Sequence, residues 1–244
     1  MLNEKELDAI QRIVDFGGYV NSNILSLYIH DSDRHVRRIL STLEEEGLLR
    51  RVELSRNPSV PQAYQVTKKA CVMCNRGDSH MRKKHTPPFT ARALLRAHFL
   101  FSLMGAGYTH ILSAPAVKLE YLRNLGFIDD DLPHKFNAGT PVLQVEEHLL
   151  TQMPYAKPGG IGIVHPDKCD VTAMAQLLTL IERYRRVVAL YRCPVNFIAV
   201  CENKTRAEEF KKAGHVLAHK VKGGFSGELP PFMAGYSVDY SYFD

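Results

Sequence analysis

The chain has 244 residues, of which 45% are hydrophobic and 23% charged, and its formal net charge is +5 at pH 7. These proportions are typical of a soluble globular protein and are sufficient for two domains of ordinary size. The apolar runs are too short to span a bilayer and no signal-peptide pattern is present, so we expect a cytoplasmic protein without a membrane partner. The odd count of five cysteines is consistent with a reducing cytosol.

The positive charge is concentrated in one part of the sequence. Between Gly47 and Lys84 there are nine Lys or Arg residues and two acidic residues, which gives a local charge of +7. Residues 91–244 carry 17 basic and 15 acidic residues and are therefore close to neutral. Such clustering favours a polyanionic partner, although for the run from Arg76 to Lys84 a solvated linker is the alternative.

Three helices are predicted within the first 50 residues. An apolar stripe predicts a helix from about Glu4 to Phe16, and Gly17-Gly18 would end it. A short second helix is predicted over residues 22–28, with Asn21 as a candidate N-cap. The third helix has Asp31 and Ser32 as candidate N-caps and Gly47 as a candidate C′ residue.

The third helix has two chemically different faces. Helical spacing places four apolar residues on one stripe, namely Val36, Ile39, Leu40 and Leu43. A second face carries Arg34, Arg37, Arg38 and Ser41. The planar fork of arginine suits both phosphate oxygens and the guanine edge, so this face is typical of a helix that reads the major groove. An ordinary solvated surface helix is the alternative.

A β-hairpin is predicted next, with strands over residues 49–54 and 63–67 and a turn-rich loop between them. Over residues 4–75 the order of elements and the pattern "EEGLLRR…PQAYQVTKKA" resemble the winged-helix families. That resemblance implies a DNA-binding domain whose third helix enters the major groove. The residues expected at the DNA are Ser32, Arg34, His35, Arg37, Arg38 and Ser41 on the helix, and Arg50, Arg51, Arg56 and Asn57 on the wing.

The rest of the chain predicts a linker and an α/β domain. Residues 76–90 have few apolar residues and contain Pro87-Pro88, which indicates a basic linker. Helices are predicted over residues 91–104, 114–125, 171–191 and 205–214, and strands over residues 141–145, 160–164 and 195–201, with an edge strand from Tyr236. The predicted class is therefore α+β: a winged helix-turn-helix over 1–75, a linker over 76–90, and an α/β domain for dimerisation or partner binding over 91–244.

Four residues have the ligand types of a structural zinc site, in the spacing C-x2-C-x5-H-x4-H. They are Cys71, Cys74, His80 and His85. The spacing is shorter than in a C2H2 finger, and on the helix after a wing a cysteine is usually a small buried residue. We therefore predict neither a metal nor another cofactor as a resident group.

A second pattern with possible chemistry is Pro166-Asp167 followed by Glu202-Asn203-Lys204, which resembles the PD-(D/E)xK nuclease signature. The resemblance implies that Asp167 and Glu202 hold a divalent cation such as Mg2+ and that Lys204 positions a water. The nuclease motif normally lies on adjoining strands, and the long intervening segment with its predicted helix counts against that arrangement here. A nuclease is thus an alternative function, and the chain is more readily interpreted as a protein that is not an enzyme.

Together with the winged helix, the segments "LLRAHFLFSL" and "LIERYRRVVALYRCPVNFIAVCE" resemble the replication-relaxation type of protein found on plasmids and integrative elements. That resemblance implies a winged helix joined to a nuclease-like domain that often lacks intact catalytic residues. We therefore expect a sequence-specific protein that binds double-stranded DNA as a homodimer, either a transcriptional regulator or a DNA-processing accessory. A winged helix that binds another protein is a third interpretation.

Overall fold

The computed structural model describes residues 2–52, 62–76, 86–105, 111–112, 115–124, 128, 134–137, 140–143, 149–151, 161–166, 195–201, 203–205, 207–209, 212 and 236–242. The chain is a mixed helix-and-sheet protein of class α+β, and it divides into two units, Met1–Thr109 and His110–Asp244. No helix in the described part of the chain is long and apolar enough to cross a membrane.

The first unit contains five helices and three strands within its described residues. In chain order they are α1 (Glu4–Asp15), β1 (Tyr19–Asn21), α2 (Ser22–Ser26), α3 (Asp33–Glu45), β2 (Leu49–Val52), β3 (Ala63–Val66), α4 (Lys68–Met73) and α5 (Pro87–Gly105). This order confirms the three predicted N-terminal helices and the two strands that follow them. The short strand β1 was not predicted.

Local capping determines where the first helices begin. Asn3 and Glu6 form a capping box on α1, in which each side chain accepts a hydrogen bond from the backbone N–H of the other. Asn21 caps α2 by accepting from the N–H of Ile24 at 2.9 Å, as predicted. Helix α1 ends in a Schellman motif, with Gly17 at φ +104° and the Gly18 N–H bonded to the Ile13 carbonyl.

The three strands form one antiparallel sheet in the order β1-β3-β2. Its register aligns Tyr19, Gln65 and Arg50 across the three strands. The core of the unit lies between this sheet and the helices, and its largest fully buried side chains include Phe16, Tyr19, Ile10 and Ile39. The hairpin β2–β3 is thereby attached to the same core as α3.

Helix α5 differs from the prediction in both extent and packing. It begins at Pro87, inside the predicted linker, because a proline in the first turn of a helix loses no backbone hydrogen bond. Its Phe101 side chain is fully buried, with ring centroids 5.0 Å from Phe16 and 6.1 Å from Tyr28. The first unit therefore includes α5 and extends to Thr109, whereas the sequence placed the end of the first domain at residue 75.

Both ends of α5 contact the preceding elements. Near its start, Phe89 packs edge-on against Tyr19 at 6.1 Å, and burial raises the pKa of Tyr19 to about 12. At its end, His30 Nε2 lies 3.3 Å from the Gly105 carbonyl oxygen. A Cβ atom added at Gly105 would overlap the Leu27 carbonyl oxygen, so the close approach of these two backbone segments requires glycine at position 105.

The second unit contains a five-stranded mixed sheet in the order β10-β9-β8-β7-β4. Its described elements are β4 (Ile111–Leu112), α6 (Pro115–Asn124), β5 (His134–Asn137), β6 (Thr140–Leu143), β7 (Leu149–Thr151), β8 (Ile161–Pro166), β9 (Val195–Cys201) and β10 (Tyr236–Tyr242). Strands β8, β9 and β10 are parallel, whereas β7 is antiparallel to both β8 and β4. The strand over 195–201 and the edge strand from Tyr236 confirm the sequence analysis, and the predicted helix over 171–191 lies outside the described residues.

Candidate nucleic-acid interface

Capping residues set both ends of helix α3. Ser32 is the N-cap, and its hydroxyl accepts from the His35 N–H at 3.3 Å. At the other end Gly47 takes φ +68°, and the Leu48 N–H bonds to the Leu43 carbonyl at 2.8 Å in a Schellman motif. The structure thus confirms Ser32, rather than Asp31, as the N-cap and Gly47 as the C′ residue, and these two residues bound the 13-residue helix.

The two faces of α3 are separated as the sequence predicts. The four residues of the apolar stripe are at most 1% exposed: Val36, Ile39, Leu40 and Leu43. On the opposite face Arg34, Arg37 and Arg38 are all exposed. Neither Arg34 nor Arg37 has a hydrogen-bond or ion-pair partner among the residues that the structure describes. Two guanidinium groups are thus available on this face to bind an external anion.

Arg38 differs from the other two arginines because it has a partner on the same helix. Its Nη2 lies 2.9 Å from His35 Nδ1, and His35 Nε2 lies 3.6 Å from Asp31 Oδ2. Asp31 in turn accepts from the Ser32 N–H, and this bond is the main cause that lowers its pKa. The His35 side chain is 20% exposed and lies between these two charged groups.

Three further residues predicted at the DNA make contacts inside the protein. Ser41 donates its hydroxyl to Glu45 at 3.1 Å. Arg51 pairs with Glu44 at 2.8 Å, and this carboxylate raises the pKa of Arg51. Arg50 donates to the buried Gln65 Oε1 through both Nε and Nη2, at 3.0 and 2.7 Å. These contacts attach the start of the hairpin to α3 and to the sheet, and Arg56 and Asn57 lie outside the described residues.

One basic residue near α3 was missed by the sequence analysis. The ammonium group of Lys69 on α4 donates a hydrogen bond of 2.6 Å to the Glu46 carbonyl oxygen, where α3 ends. A cation at the C-terminus of a helix hydrogen-bonds to carbonyl oxygens that have no partner within the helix and stabilises the partial negative charge there. In the sequence Lys69 contributes only to the local positive charge, because its contact with Glu46 depends on a fold in which α4 follows the hairpin.

The four residues with zinc-ligand side chains, for which no metal was predicted, are only partly described. Cys71 and Cys74 are 0% and 7% exposed, and His80 and His85 lie outside the described residues. Burial raises the pKa of Cys74 to about 11, and the nearby Asp15 carboxylate contributes to the shift. A protonated thiol is a poor metal ligand. Within the described ranges no three His, Cys, Asp or Glu side chains are grouped as metal ligands.

The strand pairing of the second unit removes one argument against the nuclease-like pattern, namely that its two parts lie on strands that do not adjoin. Strands β8 and β9 adjoin and are parallel, with Pro166 in register with Val200. The long segment between the two parts of the pattern therefore does not separate these strands, contrary to the inference from the sequence. Asp167 follows the last residue of β8 and Glu202 follows the last residue of β9, but both lie outside the described residues. Lys204 is described and exposed.

Comparison of the whole chain with family models, with curated proteins and with solved structures gives no match.

Proposed function

We propose that the first unit is a winged helix and that the protein binds double-stranded DNA through α3. The order α1-β1-α2-α3-β2-β3 and the three-stranded antiparallel sheet support this proposal. An α-helix with its side chains is about 10–12 Å across and the major groove is about 12 Å wide, so α3 has suitable dimensions.

The observation that carries the proposal is the exposed arginine face of α3. Arg34 and Arg37 are exposed and have no partner among the described residues, and they lie on the face opposite the buried stripe. Because they hold no internal ion pair, they bind phosphate or a base edge without first losing a contact. Arg51 must give up its pair with Glu44 to do the same. We therefore assign the main DNA contacts to α3 rather than to the start of the hairpin.

The proposal extends to the hairpin, to the rest of α3 and to the second unit. Arg50, Arg51, Arg56 and Asn57 would contact phosphates or the minor groove from the hairpin, and Ser32, His35 and Ser41 would lie close to the DNA on α3. The near-neutral second unit would serve in dimerisation or in binding a partner protein. A two-fold homodimer would then bind a palindromic site. The wider proposal is a cytoplasmic bacterial or mobile-element regulator of the replication-relaxation type, with no cofactor.

We expect Arg37→Ala and Arg38→Ala each to weaken binding to a selected duplex by about 1–3 kcal/mol, because a good base contact contributes that much. The measurement is a titration of a duplex enriched by the protein from a random-sequence pool, at several salt concentrations. The control is Arg123→Ala on α6, which removes an exposed positive charge from the other unit.

Losses below about 1 kcal/mol for both α3 variants would contradict the assignment of α3 as the recognition helix. For a wing residue such as Arg56 we expect Arg56→Ala to weaken all duplexes similarly and to reduce the salt slope by about one unit. If the protein binds no duplex even at low salt, the interpretation of the first unit as a protein-binding winged helix replaces this proposal.

A second candidate function is supported by the parallel pairing of β8 and β9. In a parallel pair both strands end at the same edge of the sheet, so this pairing suits a pattern in which Asp167 and Glu202 each follow a strand end. These two carboxylates have the oxygen donors that Mg2+ prefers, and a bound cation would activate water for phosphodiester cleavage. Lys204 would position that water.

This candidate predicts cleavage of supercoiled plasmid in Mg2+ or Mn2+, and loss of cleavage in Asp167→Asn and Glu202→Gln. The control is Glu208→Gln, which changes an exposed carboxylate a few residues further along the chain. Absence of metal-dependent cleavage by the unmodified protein would exclude the nuclease and leave DNA binding by α3 unaffected.

A further inference from the structure

The contact between Arg38 and His35 requires an acceptor nitrogen on the histidine ring. A guanidinium group only donates hydrogen bonds, so His35 Nδ1, at 2.9 Å from Arg38 Nη2, must be the acceptor. An imidazole whose Nδ1 accepts is neutral and carries its proton on Nε2. Asp31 Oδ2, at 3.6 Å from that nitrogen, favours this tautomer electrostatically. Asp31 therefore lies beside the His35 ring, and the ring itself holds Arg38 through Nδ1.

The contact with His35 distinguishes Arg38 from the other arginines on the exposed face of α3. Arg34 and Arg37 have no partner among the described residues, so their side chains are free to take many rotamers. Arg38 is exposed as well, but one of its terminal nitrogens has a defined position relative to the helix. Fixing a side chain before binding reduces the entropy lost on binding, and a fixed donor discriminates between base edges better than a mobile one.

We propose that neutral His35 is a positioning residue that holds the Arg38 guanidinium for base recognition, so that discrimination between DNA sequences by α3 decreases when His35 is protonated. This inference rests on the proposed DNA-binding function and assigns His35 a role other than direct base contact. A protonated imidazole has no acceptor for Arg38, and two neighbouring cations repel each other. Arg38 is then released from its position.

The charged groups around His35 determine how protonation acts. Among the described residues these are Arg38 and Asp31, and Lys5 of α1 lies 3.7 Å from the Asp31 carboxylate. Protonation adds one positive charge to the face that is proposed to meet the DNA. Attraction to any duplex therefore persists or increases at lower pH, whereas discrimination between duplexes is lost. At lower pH we therefore expect the affinity for a scrambled duplex to stay the same or rise, and the preference for the selected duplex to fall.

The test compares the affinity of the full-length protein for the selected duplex with its affinity for a scrambled duplex of the same composition. Both affinities are measured at a series of pH values from about pH 8 to about pH 5.5. For the unmodified protein we expect the ratio of the two affinities to fall about tenfold, which is the effect of one good base contact. His35→Asn places an amide oxygen near the position of Nδ1, and we expect it to keep the ratio at all pH values.

His35→Leu removes the acceptor, and we expect it to lower the ratio at every pH to the value of the unmodified protein at low pH. In an Arg38→Ala background the same change should have no further effect, because the two residues act through one contact. The Ser32 cap bonds to the backbone N–H of residue 35, so these side-chain changes leave the helix start in place.

Three results would overturn the inference: a normal ratio in His35→Leu, a pH dependence that persists in His35→Asn, or additive losses in the double variant. If instead Arg37→Ala and Arg38→Ala both leave duplex binding unchanged, it is the proposed function that fails. The two failures are therefore distinguishable.

Discussion

Replacing Phe101 by alanine is expected to lower the free energy of unfolding of the first unit by about 3–5 kcal/mol, the usual cost of truncating a buried phenylalanine. The Phe101 ring is fully buried and makes an edge-on contact with Phe16 and a tilted contact with Tyr28. It thus joins α5 to the residues that follow the C-terminal ends of α1 and α2. Removing it leaves a cavity at this junction and weakens the attachment of α5.

The measurement is urea unfolding of the full chain followed by circular dichroism, since the sequence contains no tryptophan. Phe89→Ala is the matched control, because Phe89 lies on the same helix but is 38% exposed. We expect the control to lose clearly less stability. Equal losses for the two variants would show that α5 is not attached through Phe101.

The second large effect is expected for Leu40→Ala, which should lower the free energy of unfolding of the first unit by about 2–5 kcal/mol. Leu40 is 1% exposed and belongs to the buried stripe that attaches α3 to the core. Arg37→Ala on the opposite face should change stability by no more than about 0.5 kcal/mol, as is usual for surface substitutions. The two substitutions therefore separate the contribution of α3 to folding from its proposed contribution to binding.

Thermal and urea unfolding of both variants, alongside their duplex affinities, would check this separation. The expected pattern is an Arg37 variant with normal stability and weak binding, and a Leu40 variant with low stability. A large stability loss in Arg37→Ala would mean that this guanidinium makes an internal contact and is not available to DNA.

Much of the first unit could be predicted because its signals are local. Ser32 and Gly47 are residue types with a specific role at helix ends, and the structure shows both in that role. The arginine face follows from helical periodicity alone. The His35–Arg38 contact also has a local signal, since residues three apart lie side by side on a helix.

The remaining features depend on contacts between residues distant in sequence. The apolar residues of α5 predict a buried helix but do not identify the surface that buries it, so its packing against β1 and α2 could not be anticipated. Strand β1 has only three residues and is defined by its pairing with β3. The pair between Arg51 and Glu44 likewise requires a particular turn between α3 and β2.

The contact between Gly105 and Leu27 has a consequence for how this chain can vary in evolution. A side chain at position 105 would meet a backbone oxygen of the turn between α2 and α3, and a backbone atom cannot move aside as a flexible side chain can. Homologous chains that keep this turn should therefore keep glycine at position 105. Those with another residue there should show an insertion or deletion within residues 27–31, so the two positions should covary when related sequences are aligned.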